Sequence, residues 1–261
     1  MKPLMAAIWC EGLKTYKTRV FWLSVAFFIF IALMISLIMY VQIHPEISEK
    51  LGIIGTKASL LRFGEPIWQN YFTLLLQTVA AIGLVGYGFV TSWVFGREYS
   101  DKTAKDILAL PVSRSDIVLS KFIISAIWCF ILSIVLLLFA LLFGKIAGLT
   151  GWSDRIFSKF SGTFALVSFL TLLLCTPVAF FASFGRGYLV PFAFIILTLI
   201  TANFIGLVGL GPFFPWAVPG ILSLSSSEGN QLNITSYFIL SLTSIAGYAA
   251  TSAWWRFADQ K

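Results

Sequence analysis

Six runs without a single charged residue dominate this chain: Phe21 to Val41, Tyr71 to Phe95, Phe122 to Phe143, Ser161 to Phe184, Tyr188 to Leu210, and Tyr237 to Trp255. They are 19 to 25 residues long, and about 20 helical residues, at about 1.5 Å rise each, cross a hydrocarbon core of about 30 Å. A spanning β-barrel would instead show alternating segments of about ten residues. Only 11% of the residues are charged and 59% are hydrophobic, whereas a soluble domain carries about 25% charge. The expected fold is an all-α membrane protein of six transmembrane helices, forming one transmembrane domain over residues 1–261. No connection between spans is long enough for a second folded domain.

Eighteen Lys plus Arg face eleven Asp plus Glu, a formal net charge of +7. In a membrane protein such an excess reflects basic loops retained in the cytoplasm, so nucleic acid is not an expected partner. The N-terminal segment, the second and fourth loops and the C-terminal segment hold 12 of these cations, and the remaining loops hold 6. This predicts a multi-pass cell-membrane protein with both termini cytoplasmic. The fourth loop, Gly185 to Gly187 around Arg186, predicts a tight antiparallel hairpin. Cys10, Cys129 and Cys175 are isolated, and His44 is the single histidine. Neither a disulfide framework nor a metal cluster is expected. The first apolar run starts too late and lacks the cleavage pattern of a signal peptide.

The residues before the first span are amphipathic. Met5, Trp9, Leu13, Tyr16 and Val20 share one side of a helical wheel, with Glu11, Lys14 and Thr18 on the other. This predicts an N-terminal interfacial helix, with Trp9 and Tyr16 at headgroup depth and Lys14, Lys17 and Arg19 near anionic membrane lipid.

The second loop, Gly96 to Lys121, concentrates nine of the 29 charged residues in 26 positions. Asp101 to Leu110 reads as a short helix ended by Pro111, because proline disfavours helical geometry in the residue before it. Ser113 and Asp116 have the spacing of a capping box that opens the third span. A helix, break, helix elbow follows, with charges to meet another protein and apolar residues to hold it to its own bundle. The alternative is a basic loop that only fixes topology.

Glu98, Thr103, Leu108, Pro111, Val112, Ser113, Arg114 and Lys121, in that order, resemble the cytoplasmic segment of ATP-binding-cassette permeases of the type-2 exporter class. The six-span plan, the amphipathic leader and the turn Phe214-Pro215-Trp216 with Pro219 extend the likeness over nearly the whole chain. Lys102 and Lys105 stand where many members carry Gly and Glu. The resemblance implies a coupling helix between spans 2 and 3 that docks into a separate P-loop ATPase subunit. Its implied contacts are Glu98, Asp101, Lys102, Lys105 and Arg114, in a segment that includes Thr103, Asp106 and Pro111. It also implies a second permease copy, identical or similar, with ATP and Mg on the partner ATPase and no cofactor on this chain. Independently, no GxxxxGK[ST] sequence occurs here, so nothing in this chain cradles ATP phosphates in the P-loop manner.

The absence of ionisable residues from the runs argues against a proton relay, and so against a stand-alone secondary transporter. It also leaves no buried acid-base pair for a membrane-embedded enzyme. Gln77, Thr171, Thr176, Thr198 and Asn203 are the candidate lining of a substrate path, with interhelical hydrogen bonding as their alternative role. A largely apolar path fits an apolar, peptide, lipid-like or drug-like cargo. Small residues from Ala80 to Ser92 predict close packing, within the chain or against a second copy. Pro177 predicts a kink in the fourth span, and Pro191 opens the fifth. A structural or assembly role without a transport cycle would make the charged elbow replaceable by a neutral linker.

Overall fold

The computed structural model describes residues 3–44, 46, 64–101, 103, 112–228 and 232–257. Eight helices are built from them: α1 (Pro3–Tyr16), α2 (Arg19–Ile43), α3 (Trp68–Ser100), α4 (Arg114–Ile146), α5 (Asp154–Phe184), α6 (Leu189–Leu207), α7 (Val218–Glu228) and α8 (Ile234–Phe257). All except α1 and α7 are long and apolar enough to cross a membrane, and they coincide in order with the six uncharged runs. The near end of the bundle holds α1, the end of α3, the start of α4 and the last turn of α8. The far end holds the start of α3, the start of α5, and α7.

Helix α1 turns its polar side inward. Trp9 is 67% exposed and Met5, Leu13 and Tyr16 are exposed with it, while Glu11 and Thr15 are buried. Outward apolar and inward polar faces suit a helix lying at a membrane surface and packed on a bundle. Lys14, expected beside lipid, points to Glu11 and Glu98 instead.

Two local irregularities shape the bundle. In α3 the residues Val79–Gly83 form a π-helical turn, the kind of bulge that inserts an extra residue into a helix. In α5 the helix stops at Leu173 and restarts at Thr176, with Pro177 in the new first turn. Proline has no N–H to give the carbonyl four residues back. That carbonyl, Leu173 O, accepts from Thr176 Oγ1 at 2.9 Å and from Ser244 Oγ of α8 at 3.0 Å. Gly247 lets α8 lie directly against the break, since a Cβ there would stand 2.5 Å from Pro177 N.

Buried hydroxyls and indoles fasten the other helices. Tyr71 of α3 donates to Ala140 O of α4 at 2.8 Å and lies 2.6 Å from Ser36 of α2. Tyr87 and Ser133 join α3 to α4 at 2.6 Å, and Trp128 Nε1 donates to Ser24 at 3.0 Å. The small residues of α3 are used inside the chain. Gly86 accommodates the ring of Phe28 and Gly88 the side chain of Ile195, so α2 and α6 both approach α3 closely. The hairpin between α5 and α6 places Arg186 at φ 50, between two glycines.

Candidate functional site: a buried charge cluster and a far-end cavity

The near end contains a charge cluster that the six uncharged runs did not reveal. Glu11 from α1, Arg97 and Glu98 from the last turn of α3, and Lys121 from the second turn of α4 are buried together, with Lys14 half-buried at the margin. Lys121 is 0% exposed and donates to Glu98 Oε1 at 2.9 Å, to Glu11 Oε2 at 3.2 Å and to Val94 O at 3.2 Å. An ammonium has three protons to give, and all three have acceptors. Arg97 pairs with Glu11 and Glu98, and its guanidinium lies 4.6 Å from the centre of the Trp93 ring.

Three cations therefore share two carboxylates. Burial alone would raise the Glu11 carboxyl, but Lys121, Arg97 and Lys14 beside it hold it below its ordinary value of 4.5. For Lys14, burial works toward a lower value, and the Glu11 and Glu98 carboxylates prevail, raising it above 10.5. Both groups keep their charge at neutral pH.

The cluster reaches the charged loop through Glu98, which is 2% exposed. Thr103 Oγ1 donates to Glu98 Oε2 at 2.7 Å, and Thr103 N donates to Glu98 O at 2.9 Å. The spacing of Glu98 and Thr103 thus corresponds to one doubly bonded turn closing the end of α3. On the other side of the loop, Ser113 Oγ accepts from Asp116 N at 3.1 Å and caps α4. Arg114 donates to Trp255 O and Arg256 O at 3.2 and 3.0 Å, satisfying carbonyls at the C-terminal end of α8.

Among the expected loop contacts, Asp101 and Arg114 are exposed and Thr103 is half-buried. Glu98 is turned inward onto Lys121 and Thr103 rather than presented at the surface. Lys102, Lys105, Asp106 and Pro111 lie outside the described residues, as does nearly all of the expected 101–110 helix. Sequence reasoning missed Glu11, Arg97 and Lys121 as partners. The available signal was Arg97, Glu98 and Lys121 at the edges of apolar runs and Glu11 in the amphipathic leader, where the two cations also read as topology signals.

The five candidate path residues divide. Gln77 and Asn203 line a far-end cavity of about 610 Å³ with Ala80, Ala81 and Trp216, between the π-helical turn of α3, α6 and α7. Trp216 Nε1 is buried there without a hydrogen-bond partner among the described residues. Thr171 and Thr198 are buried and bond within their own helices, to Val167 O and Ile195 O. Thr176 serves the α5 break and also donates to Ser244 O at 2.8 Å. The structure brings Gln77 and Asn203 to one cavity and leaves the three threonines in helix packing.

Residues 7–204 match the family model described as ABC-2 family transporter protein. The chain belongs to that family. Over 184 residues it is also 27% identical to a protein named bacitracin transport permease protein BCRB, from Bacillus licheniformis, covering 70% of this chain and 88% of the relative. No solved structure matches the chain. As an ABC-2 family member it is a multi-pass transport permease, and the matched region contains the whole charge cluster, the first four spans and most of the fifth.

Proposed function

We propose that this ABC-2 permease is the membrane-spanning half of an ATP-driven exporter, working as a homodimer or beside a similar permease on two P-loop ATPase subunits. The match of residues 7–204 to the family model carries this reading. ATP and Mg are held by the ATPase subunits, and both termini of the permease face the cytoplasm. The distribution of 12 against 6 cations supports that orientation.

The segment from Asp101 to Arg114 is the ATPase contact, with Asp101, Lys102, Lys105, Asp106 and Arg114 offering charge. Fixed attachments at both ends support this role. At its entry Thr103 is bonded to Glu98, and Glu98 to Lys121 of α4. At its exit Arg114 is bonded to the end of α8. A push on the segment is therefore delivered to α3, α4 and α8 together, and through Glu11 to α1. Glu98 positions the segment rather than touching the ATPase. The α5 break beside α8 supplies a place where the bundle can bend between inward-open and outward-open arrangements.

Cargo passes the cavity framed by Gln77, Asn203 and Trp216. Its volume of about 610 Å³ falls within the range of about 300–1,000 Å³ typical of drug-sized ligands. The name of the bacitracin relative favours a peptide among the apolar, peptide, lipid-like and drug-like classes.

The docking test uses exposed positions. Asp101→Lys and Arg114→Glu are each expected to reduce co-purification of a P-loop ATPase with the affinity-tagged permease, while membrane insertion persists. Full ATPase association and full transport in both variants would overturn the docking assignment. Reconstituted alone in vesicles, the chain is expected to move no cargo, and transport there powered only by an ion gradient would overturn the exporter reading.

A further inference from the structure

At the far end, the starts of α3 and α5 frame a second groove, of about 270 Å³, which neither the loop contact nor the cavity beside α7 uses. One wall carries Arg155 and Lys159, four residues apart and so on one face of α5; the other carries Gln69 and Thr73. Its floor is apolar: the rings of Phe72 and Phe160 stack with centroids 4.0 Å apart and 7° between planes, with Leu76 beside them.

The two cations are unmatched. Both are exposed, and the ion pairs found among the described residues all belong to the near-end cluster. The neighbouring Asp154 accepts from Trp152 Nε1 at 3.1 Å. Like charges one turn apart destabilise a helix. In the orientation proposed above, cations at this end also oppose the positive-inside bias. Two unfavourable placements on one face of a groove call for an anion.

Which anion is decided by the floor. A phosphate in water would gain nothing from an apolar floor, whereas a phospholipid has both parts, an anionic headgroup and acyl carbons that continue down the span. We infer that this groove binds an anionic phospholipid, with Arg155 and Lys159 donating to the headgroup phosphate, the Gln69 amide beside it, and the acyl chain along half-buried Ile156 and the edges of the buried rings. The site uses neither ATPase nor cargo.

The test measures binding of acyl-labelled fluorescent phosphatidylglycerol to the full chain in detergent, by anisotropy, with phosphatidylcholine and inorganic phosphate as competitors. Phosphatidylglycerol is expected to bind at least roughly tenfold more tightly than phosphatidylcholine, since each cation near a lipid headgroup contributes about a factor of five. Arg155→Gln/Lys159→Gln is expected to abolish that preference. Lys145→Gln, which removes another exposed far-end cation outside the groove, is expected to keep it. Equal preference in the double variant, equal loss in Lys145→Gln, or displacement by inorganic phosphate at the concentration of the lipid would each overturn the inference. All variants change exposed side chains, and unchanged thermal unfolding confirms their folding. Failure here leaves the ATPase contact standing, and failure of Asp101→Lys to affect ATPase association leaves the groove standing.

Discussion

The two ends of the bundle solve opposite problems. At the near end three cations and two carboxylates are drawn inward from α1, α3 and α4, and four of those five side chains are buried. At the far end the charges stand outside and an aromatic cluster runs from buried Trp68, Phe72 and Phe160 out to half-buried Phe157 and exposed Trp152, in stacked, tilted and edge-on pairs. Ionic contacts in a dry interior demand fixed partners, because removing one strands the others. Aromatic pairs are held by ring geometry and buried area, with no charge to unbalance when one partner is removed. The contrast is between an end where losing one partner unbalances buried charge and an end where it leaves only a gap in packing.

The largest expected effect comes from breaking the near end at its centre. Lys121→Met takes from Glu98 and Glu11 their fully buried partner, leaving Arg97 and Lys14 to balance them, and is expected to destabilise the protein by about 3 kcal/mol in thermal unfolding of the purified chain. Lys121→Arg, which keeps the charge, should recover part of that loss, whereas neutralising both carboxylates would leave buried Arg97 without a counter-charge. If Lys121→Met unfolds like the parent protein, ionic pairing does not hold the near end.

A reversible version of the same experiment uses pH. The Glu11 carboxyl is lowered in the folded protein, so its stabilising contribution is present above the ordinary value of 4.5 and is lost as pH falls through the lower, folded value. Lys14 is raised, so its contribution is present below 10.5 and is lost as pH rises through the higher, folded value. Unfolding temperature should be level between these limits as far as this cluster decides it, and Glu11→Gln should weaken the acid-side decline. An identical acid decline in that variant would assign the effect to other groups.

Smaller still is the link to the loop. Thr103→Val removes one hydrogen bond to a carboxylate, a type of bond worth about 1.5–3 kcal/mol. Faster proteolytic nicking just after Ser100, with an unfolding temperature lowered by a few degrees, is the expected result, and unchanged nicking would show that Thr103 does not fasten the segment. The smallest effect is set at the far end. Phe160→Leu loses an aromatic pair worth about 0.5–1.5 kcal/mol beyond its buried area, and should leave ATPase co-purification untouched. A larger loss of association there than in Asp101→Lys would reverse the proposed roles of the two ends.

Much of the architecture was legible because its causes are local. Uncharged length fixes the spans, the Ser113 to Asp116 spacing fixes the start of α4, and Pro177 breaks α5 where its missing N–H requires. The functional chemistry was only partly legible. Glu98 and Thr103 stood out in the charged loop, Glu98 as an implied ATPase contact, whereas its carboxylate is bonded to Lys121 and Thr103 inside the protein. Thr176 stood out as a polar residue in an apolar run, and its use is to satisfy the carbonyl that Pro177 leaves open and to bond across to α8.

By itself, then, the sequence determined the number and order of the long apolar helices, most of which run beyond the uncharged runs by up to eight residues at an end, since hydropathy, capping and proline act over a few neighbouring residues. Tertiary structure alone decided that Glu11 meets Arg97 and Lys121, 86 and 110 residues away, and that Gln77 and Asn203 face one cavity. A charge at the edge of an apolar run carries the same local signature whether it faces water or a buried partner. Only the packing of α1 across the ends of α3 and α4 distinguishes the two.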